Sequence, residues 1–140
     1  MAIKMRVLCD SKKGKINTLA AMIKQEYDLP INALDKIPPA YSCDKERIVI
    51  LMLSLKGDPE NYLRLFCREM TKARAQNVAL IVDGSESAAQ NIKDLLVEAG
   101  THVIDEVLFI KGGFALFKNV TEEEKEQVRA FCKRVVENLQ

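Results

Sequence analysis

Apolar residues along the chain alternate between short continuous runs and longer stretches in which they recur at helical spacing. The clearest continuous run lies within residues 48–54, which are apolar at every position until the final serine. A run of this kind is typical of a central parallel strand that is buried on both faces. Further runs predict strands over residues 3–9, 78–82 and 103–110, and the weaker, partly polar segment 29–34 predicts a short strand at the sheet edge.

The stretches between these runs predict helices. Residues 18–27 carry apolar side chains at helical spacing and predict the body of the first helix. Asp58 and Pro59 have the composition of an N-cap followed by the first helical residue, so they predict the start of the second helix.

Two capping boxes predict where the last two helices begin. Ser87 with Gln90 fits the start of the third helix, which is expected to end at Gly100. Thr121 with Glu124 fits the start of the fourth. The apolar stripe expected on this fourth helix consists of Val128, Phe131, Cys132, Val135 and Leu139.

This alternation of strands and helices predicts an α/β fold. The expected architecture is a single domain over residues 1–140, a three-layer α/β/α sandwich with a five-stranded parallel sheet in the order 2-1-3-4-5. In that order, ligands bind outside the carboxyl ends of the strands, beside the first and third. The segments that follow Cys9, Ser54 and Val82 are therefore the places to look for a site.

Composition excludes several classes of partner. The chain has 140 residues, with 21 Lys and Arg against 20 Asp and Glu, and this balance lacks the charge excess typical of nucleic-acid or membrane-surface binding. Its apolar runs are too short for a membrane span, and its start lacks the apolar core of a signal peptide. The four cysteines are far apart, which fits reduced thiols and predicts a cytoplasmic location.

The loop after the first strand has the ingredients of a phosphate-binding turn. A hydroxyl, a glycine and three lysines lie between a strand end and a helix start, where unpaired backbone amides attract anions. The alternative is a polar turn with solvated lysines. The residues predicted to contact a phosphate are Ser11, Lys12, Lys13, Gly14, Lys15 and Ile16. The loop does not match the Walker pattern, and the chain has no dinucleotide-binding glycine motif.

Residues 7–20 carry a resemblance to a known family. Val7, Leu8, Ser11, Gly14 and Ala20 match the flavodoxin signature of two aliphatic residues, a hydroxyl, a small residue and an alanine. In this sequence, Cys9 stands where the signature has an aromatic residue, and Ile16 stands where it has a threonine that helps to hold the phosphate. The chain therefore resembles the flavodoxins.

The resemblance implies a function and a site. It implies an FMN-binding protein that transfers electrons between redox partner proteins, with FMN as its cofactor and no catalytic or metal-binding residues of its own. The phosphate would be held by the first loop and the ring flanked by the second and third loops. Those ring-flanking residues would be Ser54, Leu55, Lys56, Gly57, Asp83, Gly84 and Ser85. Gly57 would permit the backbone flip that accompanies reduction, and Leu55 could cover one face of the ring.

The departures from the family favour an alternative function. The chain has no Trp, neither ring-flanking loop contains an aromatic residue, and the net charge is near neutral, whereas flavodoxins are acidic. These features favour a flavodoxin-fold protein that has lost FMN and serves as an interaction or regulatory module. A phospho-receiver domain is disfavoured because Ser54 occupies the place of the carboxylate that would accept a phosphoryl group. A homodimer is left open by the sequence.

Few other residues suggest chemistry. Cys67 and Cys132 lie on apolar helix stripes and are expected to fill the core, and Cys9, at the end of a buried strand, is expected to do the same rather than act in redox chemistry. His102 is interpreted as structural. Residues 112–117 contain two glycines and two phenylalanines, which predict either a lip over the site or side chains that fold back into the core.

Overall fold

A single parallel sheet organises the described part of the chain. The computed structural model describes residues 3–10, 14–110 and 120–139. The strands are β1 (Met5–Asp10), β2 (Leu34–Lys36), β3 (Ile48–Ser54), β4 (Asn77–Asp83), β5 (His102–Val103) and β6 (Leu108–Phe109). The α-helices are α1 (Gly14–Glu26), α2 (Asn61–Arg68), α3 (Glu86–Ala99) and α4 (Glu122–Glu137).

The order of the strands confirms the predicted fold class. The sheet runs β2-β1-β3-β4-β5, with β6 also paired to β4, and every pair is parallel. β5 and β6 together take the fifth position, so the strand predicted over 103–110 is interrupted. Asp105 and Glu106 between the two pieces are exposed to solvent, and charged side chains favour that exposure over pairing in the sheet.

The two faces of the sheet support two separate cores. Val7, Ile50 and Ile81 pack on the side covered by α1 and α4. Their sequence neighbours, which include Leu51 and Leu80, pack on the side covered by α2 and α3. Successive residues of a strand point to opposite faces. The continuous apolar runs of β3 and β4 therefore serve both cores at once, which is why they tolerate almost no polar residue.

One prediction near the first helix is confirmed and one was wrong. α1 contains the predicted body up to Glu26 and begins one turn earlier, at Gly14, where the buried Ile16 extends its apolar stripe. The edge strand predicted over 29–34 is displaced: Ile31–Ala33 form a short 3-10 helix and β2 starts only at Leu34. Pro30 lies at the start of that turn, and its carbonyl accepts a hydrogen bond from the Ala33 amide at 3.0 Å.

Two predicted helix starts were also wrong. α2 is preceded by Glu60 as its N-cap, not Asp58, and Pro59 is therefore not its first helical residue. α3 is capped by Ser85, not Ser87, because Ser85 lies next to the strand end and its Oγ accepts a hydrogen bond from the Ala88 amide at 3.1 Å.

Other predicted ends are confirmed. Gly100 ends α3 with φ +114°, a left-handed conformation that glycine adopts without strain. Thr121 and Glu124 form the complete capping box of α4. The predicted stripe residues within α4 are all buried. Leu139 was wrongly placed on the helix, which ends at Glu137, but it is partly buried and packs against the same core.

We expect Ser85→Ala to lower the free energy of unfolding by about 1 kcal/mol, because α3 loses the side chain that satisfies the Ala88 amide. Ser87→Ala is the matched control. Its exposed hydroxyl lies 3.2 Å from Ser85 Oγ but caps no described amide, so we expect a change within about 0.5 kcal/mol. Urea denaturation of both variants checks this. Equal destabilisation, or a larger effect at Ser87, would contradict the observed cap.

Candidate functional site

The carboxyl ends of the three central strands lie at one edge of the sheet. In the parallel register, Asp10 of β1 pairs with Leu53 of β3, and Ser54 of β3 pairs with Asp83 of β4. The segments that follow these strands therefore leave the same edge. This is the position at which an open α/β sheet of this order binds ligands, and we call it the carboxyl edge.

In the first of these segments, the described charged side chain pairs with another side chain of the protein. Lys15 Nζ lies 2.6 Å from Glu124 Oε2, and both side chains are largely buried. Burial raises the pKa of the Glu124 carboxyl, but hydrogen bonds from Lys15 and Thr121 outweigh it and leave that pKa below its ordinary value. The Ile16 side chain is fully buried in the core. Lys15 thus ties α1 to the start of α4, and Ile16 can offer a ligand only its backbone.

Three predicted phosphate contacts, Ser11, Lys12 and Lys13, lie outside the described residues, as do residues 112–117 with their two phenylalanines. Gly14 is half-buried and is the first residue of α1. The first turn of α1 contains no acidic side chain, so its amides are not already paired with a carboxylate of their own helix.

In the second segment, the side chain of Leu55 is buried in the core. Leu55 is 8% exposed and belongs to the core beneath α2 and α3, and its amide donates to the Asp83 carbonyl at 2.9 Å. Lys56 is exposed. Gly57 has φ +76°, and a Cβ built there would meet no atom within 4 Å. The backbone at Gly57 is therefore left-handed and open on its outer side, while Leu55 supports the loop from below.

The third segment approaches the second closely at a glycine. A Cβ at Gly84 would lie 2.9 Å from the Leu55 carbonyl oxygen, too close for any side chain. Ser54 Oγ donates to Asp83 Oδ2 at 3.4 Å. The Ser85 hydroxyl is occupied as the cap of α3. The two ring-flanking segments are therefore in contact at their base.

An aromatic residue that sequence reasoning missed lies at the carboxyl edge. Tyr62, in the first turn of α2, donates its hydroxyl to the Asp10 carboxylate, with 2.8 Å to each oxygen. Burial, and then the hydrogen bond to Asp10, raise the pKa of Tyr62 to about 12. The family resemblance leads to the expectation of aromatic residues in the loops, whereas Tyr62 lies in a helix. The sequence signal for its exposure is that Tyr62 precedes Leu63 and so lies off the apolar stripe of α2.

The edge has limited chemistry of its own. Burial raises the pKa of the Cys9 thiol to about 12, so the thiol stays protonated and is a poor nucleophile. Burial likewise raises the pKa of Cys67 and of Cys132 to about 12, which fits their expected place in the core. Within the described ranges, no group of acidic, histidine or cysteine side chains could hold a metal ion.

A scan against protein-family models and a search of curated proteins found no match to this sequence. None of the described helices is long and apolar enough to cross a membrane. The geometry of the carboxyl edge is therefore the main ground for a functional argument.

We expect Asp10→Asn to lower the pKa of Tyr62 below about 12, because the phenolate no longer faces a carboxylate. Burial, the larger cause, should still hold that pKa above the value near 10 of an ordinary phenol. Alkaline titration of phenolate absorbance measures this change. Tyr62→Phe should remove the transition near pH 12, whereas Tyr41→Phe, the control, should leave it in place. A Tyr62 titration unaffected by Asp10→Asn would contradict the contact.

The same shift predicts a pH dependence of stability. Since the folded pKa of Tyr62 is raised, its stabilising contribution is complete below the unfolded pKa, near 10, and is lost as pH rises toward about 12. Urea denaturation at several alkaline pH values should show a shallower loss of stability for Tyr62→Phe than for the native chain. Identical slopes would show that the phenol is not perturbed in the folded state.

Proposed function

We propose that the carboxyl edge binds FMN and that the protein carries electrons between redox partner proteins in the cytoplasm. The observation that carries this proposal is the shared edge: in-register pairing of β1, β3 and β4 directs three loops to one place. Under this proposal, the phosphate and the ring would take separate positions at that edge. The cytoplasmic location is supported by four cysteines that are all free and buried.

The phosphate would lie at the start of α1. The first amides of a helix have no partner within it, and the helix dipole favours an anion there. Gly14 allows close approach because it has no side chain, and no acidic residue of the first turn opposes the charge. Because Lys15 is paired with Glu124 and Ile16 is buried, the described part of this segment would hold a phosphate by backbone amides.

The ring would lie above the second and third segments. Gly57 presents a left-handed backbone with open space beside it, so its peptide unit can reorient without a side-chain clash. Tyr62 adds an aromatic ring at the same edge, with its hydroxyl fixed by Asp10. Aromatic rings of this kind make offset or edge contacts with flat ligands. The residues present therefore fit a flat phosphorylated ring.

FMN, when bound, supplies the one- and two-electron chemistry, and the protein supplies orientation and electrostatics. Asp10 and Asp83 place two carboxyl groups at the edge, and the Cys9 thiol remains protonated beneath it. Negative charge near the ring disfavours an added electron and so would lower the reduction potential. The described chain provides positioning and a local field, and no nucleophile is required.

A second function is favoured by a separate observation. The Lys15 ammonium, the Ser85 hydroxyl and the Tyr62 hydroxyl each have a partner within the protein. A site whose polar groups are satisfied without a ligand is what a flavodoxin-fold interaction or regulatory module without FMN would show. The two functions differ in whether FMN binds at all.

Titration of FMN into the purified protein, followed by quenching of flavin fluorescence, tests the proposal. We expect saturable binding at micromolar FMN. Gly14→Leu should weaken it by about tenfold or more, because a side chain would occupy the phosphate position. Asn17→Leu is the control, since Asn17 is exposed and lies within α1, beyond its first residue.

Absence of quenching in the native chain would reject the FMN carrier and leave the module without a cofactor. Binding that is equal in the native chain, Gly14→Leu and Asn17→Leu would instead show that the phosphate is held elsewhere.

A further inference from the structure

A second cleft lies at the opposite end of the sheet, beside the start of β1. β2 begins only at Leu34, which pairs with Val7, so the residues of β1 before Val7 have no β2 neighbour. The space left at this place is a cleft of about 340 Å³. Small-molecule sites commonly measure about 300–1,000 Å³. Its apolar walls are formed by Ile3, Met5, Leu29, Pro30, Ala33 and Tyr41.

One wall of this cleft carries a buried carboxylate that is incompletely satisfied. The side chain of Glu46 is only 7% exposed, and its Oε2 has no hydrogen-bond partner among the described residues. Oε1 lies 3.8 Å from Lys4 Nζ, beyond hydrogen-bonding distance. Burial raises the pKa of Glu46 and outweighs the opposing effects of Lys4, Arg6 and a hydrogen bond from the Asp44 backbone amide. A buried acceptor without a partner is costly, and native structures rarely keep one without a reason.

The two basic side chains near Glu46 donate their hydrogen bonds to backbone carbonyl groups. Arg6 donates to the backbone carbonyls of Tyr41 at 2.5 Å and Asn32 at 3.3 Å, so it fixes the walls of the cleft. Lys4 donates to the backbone carbonyl of Asp44, and its side chain is 58% exposed. The side chain of Asp44 is at the exposed rim. Lys4 therefore meets Glu46 through a solvent-exposed ion pair, with 3.8 Å between Nζ and Oε1.

We propose that this cleft binds a small organic amine, whose ammonium group donates to the Glu46 carboxylate while its apolar body packs against the walls. An ammonium-to-carboxylate hydrogen bond is among the stronger polar contacts in proteins. The exposed Lys4 contact is weak because solvent screens it, so a ligand can displace it. The site is separate from the carboxyl edge and does not depend on FMN.

The test uses phenethylamine as the probe and phenethyl alcohol as its uncharged counterpart, each titrated into the isotope-labelled full chain. Amide chemical shifts report the contact. We expect saturable shifts in residues 29–33 and 41–46 with the amine, and binding about tenfold weaker with the alcohol. No saturable shift in these segments, or equal binding of the alcohol, would overturn the proposal.

Three variants separate the carboxylate from the apolar walls. Glu46→Gln should weaken amine binding by about tenfold, because it removes the charge and keeps the shape. Lys4→Met should strengthen it by about threefold, because it removes the competing ammonium. Glu98→Gln, the control, removes an exposed carboxylate of α3 that does not line the cleft and should change binding little.

Amine binding that Glu46→Gln leaves unchanged would overturn the proposal, as would a loss of binding in Lys4→Met. The amide spectrum shows whether Glu46→Gln folds. If it does not fold, Lys4→Met and the comparison of amine with alcohol decide the outcome, since both use a chain with Glu46 intact.

Discussion

Burial of β3 and β4 on both faces is the constraint from which the rest of the structure follows. The side chains of β3 and β4 are buried in both directions except at the final residue of each strand. Two helical layers are needed to cover them, and a parallel sheet requires each connection to return to the opposite end. As a result, the loops that follow the strands all lie at the carboxyl edge of the sheet. Glu46 and Lys4 lie at the opposite, amino end.

Sequence reasoning succeeded where the signal is local and failed where it depends on distant contacts. β3 was predictable because a continuous apolar run has few other interpretations. The capping box of α4 was predictable because its two partners lie within one helical turn. The choice between Ser85 and Ser87 required the position at which β4 ends. The contact from Tyr62 to Asp10 spans 52 residues of sequence, and no local pattern could indicate it.

The two ends of the sheet differ in how fully their polar groups are satisfied. At the carboxyl edge, Lys15, Ser85 and Tyr62 have internal partners, and ligand binding there would rest on backbone amides and open space beside glycine. At the amino end, Glu46 keeps a buried oxygen without a partner beside an apolar cleft. The pattern of residues 7–20 directs attention to the first end, and only the packed side chains reveal the second.

The interruption between β5 and β6 has a consequence for self-association. A long uninterrupted outer strand offers a row of free backbone groups to which a strand of another molecule can add. Here the outer position is divided into two pieces of two residues each, and the projecting Glu106 between them is held by Arg134 of α4. Among the described residues, neither piece of this outer position is long enough to template a foreign strand, and the interruption thereby disfavours edge-to-edge association through β5 and β6.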